Sequence, residues 1–192
     1  MSGMTGGNES RRVKLTYDDV VHFPDDGMRH ELIDGEHFVT PSPNTSHQRI
    51  SRRLALAIGQ WLQAHPIGEV FFAPFDVVFT KFDVVDPDLL YISKSRAREM
   101  LTDTHGLGAD LVVEIGSPGT RRRDETLKLQ LYQRAVVVEY WFVDPEREIV
   151  RVYARAGNRF EAPQALKADR GDVLTTALLP GFRLRTGKIF TD

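Results

Sequence analysis

Residues 110–115, DLVVEI, constrain this chain most. Strand alternation sends Leu111, Val113 and Ile115 to one face and Val112 and Glu114 to the other, so after Asp110 at its start both faces are apolar apart from the Glu114 carboxylate. A strand of that kind belongs in a sheet covered on both sides. Burying an isolated carboxylate is costly unless something pairs with it, so Glu114 needs a partner. The surrounding pattern points to a mixed α/β sheet. Thr16 and Asp19 form a capping pair for a short helix that ends at Pro24. The Asp34-Gly35 dipeptide between residues 30–33 and 36–40 predicts a tight hairpin. Asn44, Thr45 or Ser46 can cap a helix in which Ile50, Leu54, Ala57, Ile58, Trp61 and Leu62 recur at three- and four-residue steps, until Pro66 and Gly68 stop it. Strands are expected at residues 69–72 leading into 75–80, at 88–92 and at 110–115. A second helix follows over residues 121–135, then strands at 136–143 and 149–155. The order is thus helix, three strands, helix, strand, with a hairpin in front and strands behind.

Composition narrows the function classes. At 192 residues, 41% hydrophobic and 27% charged, the chain has ordinary globular usage and room for one core. Residues 1–14 are expected to be a loose tail and residues 15–192 a single domain. Lys plus Arg number 25 against 27 Asp plus Glu, a net charge of −2, so bulk positive charge does not draw this chain to nucleic acid. Any such binding requires a local patch. With no cysteine, the chain has neither a thiolate metal site nor a cysteine nucleophile, and only oxygen or imidazole ligands remain for a metal. No apolar run approaches the ~18 residues needed to cross a bilayer, and the start lacks a secretory signal, so a cytoplasmic protein with no membrane partner is expected. A phosphate-binding Gly-rich loop, a nucleophile elbow and a zinc-binding His-Glu-x-x-His helix are all missing from the sequence.

The carboxylates are more informative. Asp88 opens the strand at 88–92, and 114 − 88 = 26 residues separate it from Glu114, enough for one strand, a helical segment at 93–100 and a return. Neighbouring strand ends can then present both carboxylates together. That is the oxygen-rich set preferred by Mg²⁺ or Mn²⁺, with water and a phosphate oxygen completing the shell. The spacing equally fits a salt-bridged strand end at Glu114 and a turn-capping Asp88. Lys128 is the third candidate, since an ammonium beside a metal can hold an attacking water or offset charge on a phosphate. It stands four residues after Asp124, which equally makes a surface ion pair worth only about 0.5 kcal/mol. For substrate grip, Arg121, Arg122 and Arg123 precede the second helix, while Arg151, Tyr153 and Arg155 share one face of an alternating strand. These side chains could track a phosphate backbone, or could simply be the wet faces of their elements.

In order along the chain, ELIDGE (31–36), PSPNTSH (41–47), PDLLYI (87–92), DLVVEIGSP (110–118), Asp124 with Lys128 and Tyr132, and EYWFVDP (139–145) resemble the bacterial Uma family of restriction endonucleases. This is a branch of the PD-(D/E)XK nuclease superfamily. The resemblance covers roughly residues 15 to 190. It implies a restriction-endonuclease-like core and a Mg²⁺- or Mn²⁺-dependent nuclease acting on DNA, with Asp88 and Glu114 as metal ligands. It adds Glu31 as a third metal ligand, and His47 as a phosphate contact or a base near neutral pH. The sequence departs from the superfamily at residue 116, a glycine where the lysine usually stands two after the acid, which makes Lys128 a displaced lysine. It departs again at Val136-Val137-Val138, where the family tends to have a Gly-Val-Pro turn. A homodimer is expected by analogy, with residues 136–142 as an interface. The alternative from another class is a module that kept the fold as a nucleic-acid-binding or structural element and lost the reaction.

Overall fold

A computed structural model describes residues 13–191. Residues 1–12 of the expected tail lie outside the described residues. Lys14, the last residue of that expected tail, pairs with Asp34. The chain opens with α1 (Tyr17–Val20), where the Asp19 carboxylate accepts hydrogen bonds from the Thr16 N–H and hydroxyl. Then come the hairpin β1 (Arg29–Ile33) and β2 (Glu36–Thr40), the long helix α2 (Thr45–Ala64) and β3 (Gly68–Phe72). The hairpin turn has Asp34 at φ 53° and Gly35 at φ 75°, the positive angles that a two-residue turn of this hand requires. Asn44 caps α2 by accepting the His47 N–H at 2.9 Å.

The expected continuous run through residues 69–80 divides. β3 belongs to one sheet, while β4 (Val77–Thr80) pairs with β5 (Asp83–Val85) in a second, four-stranded sheet of order β2-β1-β5-β4. β6 (Leu89–Ser93), α3 (Ala97–Met100) and β7 (Leu111–Ile115) follow. One continuous helix then runs through α4 (Arg121–Arg123), a π-helical turn at Asp124–Lys128 and α5 (Leu129–Arg134). It leads to β8 (Glu139–Asp144), β9 (Ile149–Ala156), β10 (Arg159–Phe160) and β11 (Gln164–Lys167). The short pair β12 (Val173–Leu174) and β13 (Leu184–Arg185) and the terminal turn α6 (Gly187–Phe190) complete the order. The large sheet runs β10-β9-β8-β7-β6-β3, with β11 also on β9. β7 and β8 are parallel, joined by the π-bulged helix, and the other pairs are antiparallel.

The two faces of β7 pack as their alternation predicts. Leu111, Val113 and Ile115 meet Ile50, Leu54, Ile58 and Leu62 of α2 together with Leu174, Leu179 and Phe182. On the other face Val112 packs with Leu131, Tyr132, Tyr140 and Phe142, and with Ile33 and Val85 from the smaller sheet. Glu114 lies on this second side, between the large sheet, the small sheet and the π-bulged helix.

Two expectations about residues 136–143 are corrected. The strand starts at Glu139, because Val136 takes φ 59° and ends the preceding helix: its N–H reaches the Gln133 carbonyl and the Val137 N–H reaches the Tyr132 carbonyl. The apolar residues of β8 also cannot form a dimer interface, since Tyr140, Trp141 and Phe142 are fully buried in the middle of the sheet. A β-branched residue in a left-handed conformation is strained, and Val136 is 60% exposed, so little packing compensates. Relieving about 1–2 kcal/mol of left-handed strain outweighs the ~0.5–1 kcal/mol entropic cost of glycine. Val136→Gly is therefore expected to raise the melting temperature by roughly 2–4 °C in scanning calorimetry.

Candidate active site

Register brings the two strand-end carboxylates together. In the antiparallel β6–β7 pair Leu89 faces Val113 and Leu90 faces Val112, so one further step sets Asp88 across from Glu114. Asp88 is held from three directions. Its Oδ2 accepts the Ile115 N–H at 2.8 Å and a hydrogen bond from His47 Nε2 at 2.9 Å, and its Oδ1 accepts Arg29 Nη1 at 2.7 Å. Burial works against its ionisation, but His47 and Arg29 outweigh it and hold the Asp88 carboxyl below the usual range.

Glu114 is bound by the π-bulged helix. Its Oε1 accepts Lys128 Nζ at 2.8 Å and the Tyr132 hydroxyl. The same ammonium lies 2.7 Å from Glu31 Oε1, whose other oxygen meets Arg123 Nη2 at 3.1 Å. Lys128 is therefore no surface residue. It is only 3% exposed, and its charge is kept by Glu114, Glu31 and Asp124, which overcome the burial penalty and raise its pKa. Burial, aided by the neighbouring Asp124, Asp88 and Glu31 charges, pushes Glu114 up to about 8 in spite of Lys128. One ammonium cannot fully compensate several buried carboxylates.

The superfamily's usual lysine position is closed for a steric reason. A Cβ on Gly116 would stand 2.6 Å from Phe142 Cζ. In this chain Lys128 brings an ammonium to Glu114 from the helix instead.

Glu31, His47, Asp88, Glu114 and Lys128 thus line one pocket of about 190 Å³. Arg123 joins them, and so do Arg29 and Asp124, which were not among the residues singled out from the sequence. Arg29 carries no sequence signal beyond standing two residues before Glu31, whereas Asp124 stands in the matching motif with the spacing of a surface ion-pair partner. Among the described residues, three side-chain atoms in this pocket are buried without a hydrogen-bond partner: His47 Nδ1, Arg123 Nε and Asp124 Oδ1. The remaining arginines lie elsewhere. Arg121 pairs with Asp144 at 2.6 Å and Glu146 at 3.1 Å, and Arg122 is exposed. Arg151 pairs with Glu125 at 3.0 Å. Arg155 donates to the carbonyls of Val137 at 2.7 Å and Gln133 at 2.6 Å, tying the helix end to the sheet. On the strand face offered either for phosphate contact or as a wet face, Tyr153 is buried against Tyr140 while Arg151 and Arg155 are half-buried.

The donor set suits a hard divalent cation in kind, since the pocket offers carboxylate oxygens and the chain has no thiol. Among the described residues no three acidic or imidazole groups form a ready cage, because Lys128 sits between Glu31 and Glu114 and Arg29 sits on Asp88. An ion would compete with those pairs, and the partnerless Asp124 oxygen marks the pocket as short of positive or donating partners.

A mixed sheet with two strand-end carboxylates and a lysine between layers defines a restriction-endonuclease-like fold. The comparisons agree with that class. Residues 17–187 match the Uma2 family, described as "Putative restriction endonuclease", and the chain belongs to that family. A crystal structure titled as a putative nuclease belonging to DUF820 from Anabaena variabilis superposes with a TM-score of 0.77 at 18% identity. It covers 92% of this chain and 97% of its own, which establishes a shared fold. The type IIG restriction endonuclease BpuSI aligns at a TM-score of 0.34 and 18% identity over 56% of this chain and 12% of its own. No curated protein matches the sequence.

The raised pKa of Glu114 has a signed consequence. The folded chain keeps this proton up to about pH 8, while an unfolded chain releases it near 4.5, so the folded state binds more protons between those values. Its contribution to stability therefore falls as pH rises through that window. In metal-free buffer the melting temperature of the wild type relative to Glu114→Gln is expected to drop between about pH 5 and about pH 8.

Proposed function

We propose that this protein is a nuclease that hydrolyses phosphodiester bonds of DNA in the pocket between the two sheets, with Mg²⁺ or Mn²⁺ held by Asp88 and Glu114. The observation that carries this reading is the meeting of Asp88, Glu114 and Lys128 in one pocket of a chain of this family. Bound there, the ion supplies Lewis-acid stabilisation of charge developing on the phosphoryl oxygens.

The chain's own residues have separable tasks. Lys128 offers a fixed ammonium whose protons can point to an attacking water or to a phosphoryl oxygen, and Glu31 and Glu114 keep it charged and in place. Arg123, tied to Thr40 and Glu31 through Nη2, brings its guanidinium to the pocket wall, where it can donate to a phosphate oxygen. Arg29 and His47 hold the Asp88 carboxylate in one orientation. The chain's slight negative charge places the burden of substrate attraction on these local cations rather than on the surface as a whole.

The test is cleavage of supercoiled plasmid with Mg²⁺ or Mn²⁺, with chelator as control. Wild type is expected to nick or linearise the plasmid in a metal-dependent way, and Glu114→Gln to lose at least about 10²-fold in rate, the scale seen when one stabilising group of a reacting centre is removed. Metal-supported binding of DNA by the wild type without any cleavage would favour the binding-module alternative.

A further inference from the structure

The π-helical turn at Asp124–Lys128 is the one break in an otherwise regular helix, and it lies against the pocket. Such bulges cost helix geometry and recur at functional sites. In this chain the two ends of the turn are Asp124 and Lys128, which are 2% and 3% exposed. Among the described residues Lys128 makes ion pairs with Glu31 and Glu114, and Asp124 makes none. Its carboxylate is steadied by Thr120, yet Oδ1 is buried with no hydrogen-bond partner. Leaving a charged acceptor unsatisfied inside a protein is costly, so a conformation that maintains it calls for a ligand.

Resting on the nuclease reading, we propose that Asp124 Oδ1 accepts the hydrogen bond of the water that attacks the phosphodiester and takes its proton. The π turn then presents a donor and an acceptor to the same water, Lys128 Nζ toward its oxygen and Asp124 Oδ1 toward its hydrogen. The water oxygen bonds to phosphorus as the bond from phosphorus to the departing oxygen breaks with its electron pair. The water proton passes to Asp124 and on to solvent, and the departing alkoxide is protonated from solvent.

The groups that face Asp124 are compatible with this task. Lys128 and Arg123 on its own helix favour its charged form, and Glu31 on β1 disfavours it. Glu114 on β7 and the Tyr140 hydroxyl on β8, which donates to the Asp124 main-chain carbonyl, complete its surroundings. Burial, the largest influence, raises its pKa above that of an ordinary aspartate, which makes the carboxylate a stronger base.

The test uses bis(p-nitrophenyl) phosphate with Mn²⁺, which needs no knowledge of sequence preference and has a leaving group that requires no proton. Asp124→Asn, nearly isosteric and freed of a buried charge, is expected to fold with an unchanged or higher melting temperature and to bind Mn²⁺ as wild type does in calorimetry. Its kcat should fall about 10²-fold or more. Its rate should keep rising with hydroxide concentration at pH values where the wild-type rate has levelled off, and Asp124→Glu should recover part of the loss. A wild-type kcat in Asp124→Asn overturns the assignment, and so does loss of Mn²⁺ binding in that variant, which would make Asp124 a metal ligand. If the wild type itself hydrolyses neither this ester nor plasmid, the nuclease reading fails and this inference fails with it. An active wild type with an equally active Asp124→Asn removes only the inference.

Discussion

The Lys128 ammonium, shared between Glu31 on the small sheet and Glu114 on the large one, is the interaction on which the site depends. It joins three elements at once, because Lys128 rides on the π-bulged helix while Glu31 stands on β1 and Glu114 on β7. A buried ion pair is weak evidence for stability, since desolvation of both partners offsets most of their attraction. Its value here is positional. The helix, the hairpin strand and the central strand each bring one polar group to the same point. The consequence is a pocket with four carboxylates, Glu31, Asp88, Glu114 and Asp124, set against the cations Arg29, Arg123 and Lys128.

That imbalance explains the electrostatics. Asp88 is depressed because it has two donors of its own in Arg29 and His47, whereas Glu114 is raised because its burial, with the neighbouring acids, outweighs the one cation it shares. Two carboxylates a strand apart are thereby given different readiness to ionise, although they occupy equivalent positions in the sheet. Gly116 matters for the same reason. With the Phe142 ring in the space where a side chain would project, any residue larger than glycine at position 116 would have to displace it, and the ammonium comes from the helix instead. The π turn is the local adjustment that accompanies this arrangement, with both of its end residues buried against the pocket.

Much of this was legible in the sequence because it followed from periodicity. The alternation of residues 110–115 predicted a strand covered on both sides with Glu114 on one of them, and the three- and four-residue spacing of Ile50, Leu54, Ile58 and Leu62 predicted the face that α2 buries. Asp34-Gly35 predicted its turn from backbone geometry alone. What escaped were features set by distant contacts. β5 is three residues long, too short for a period to show. The division of residues 69–80 between two sheets reflects partners far along the chain. Val136-Val137-Val138 has the composition of a strand but closes a helix, so local propensity yielded to tertiary placement. Arg29 could not be seen because its role depends on Asp88, 59 residues away. Asp124 with Lys128 carried the spacing of an ordinary exposed pair, and only burial shows that both face the pocket.

The central claim is that the strand-end carboxylates form a divalent-metal site, and calorimetric titration of Mn²⁺ into the chelator-treated wild type and into Asp88→Asn tests it most directly, with no substrate needed. The account predicts saturable binding in the wild type that is lost in Asp88→Asn, with both proteins melting cooperatively. Equal Mn²⁺ binding by the two proteins, or none by the folded wild type at millimolar metal, would contradict it.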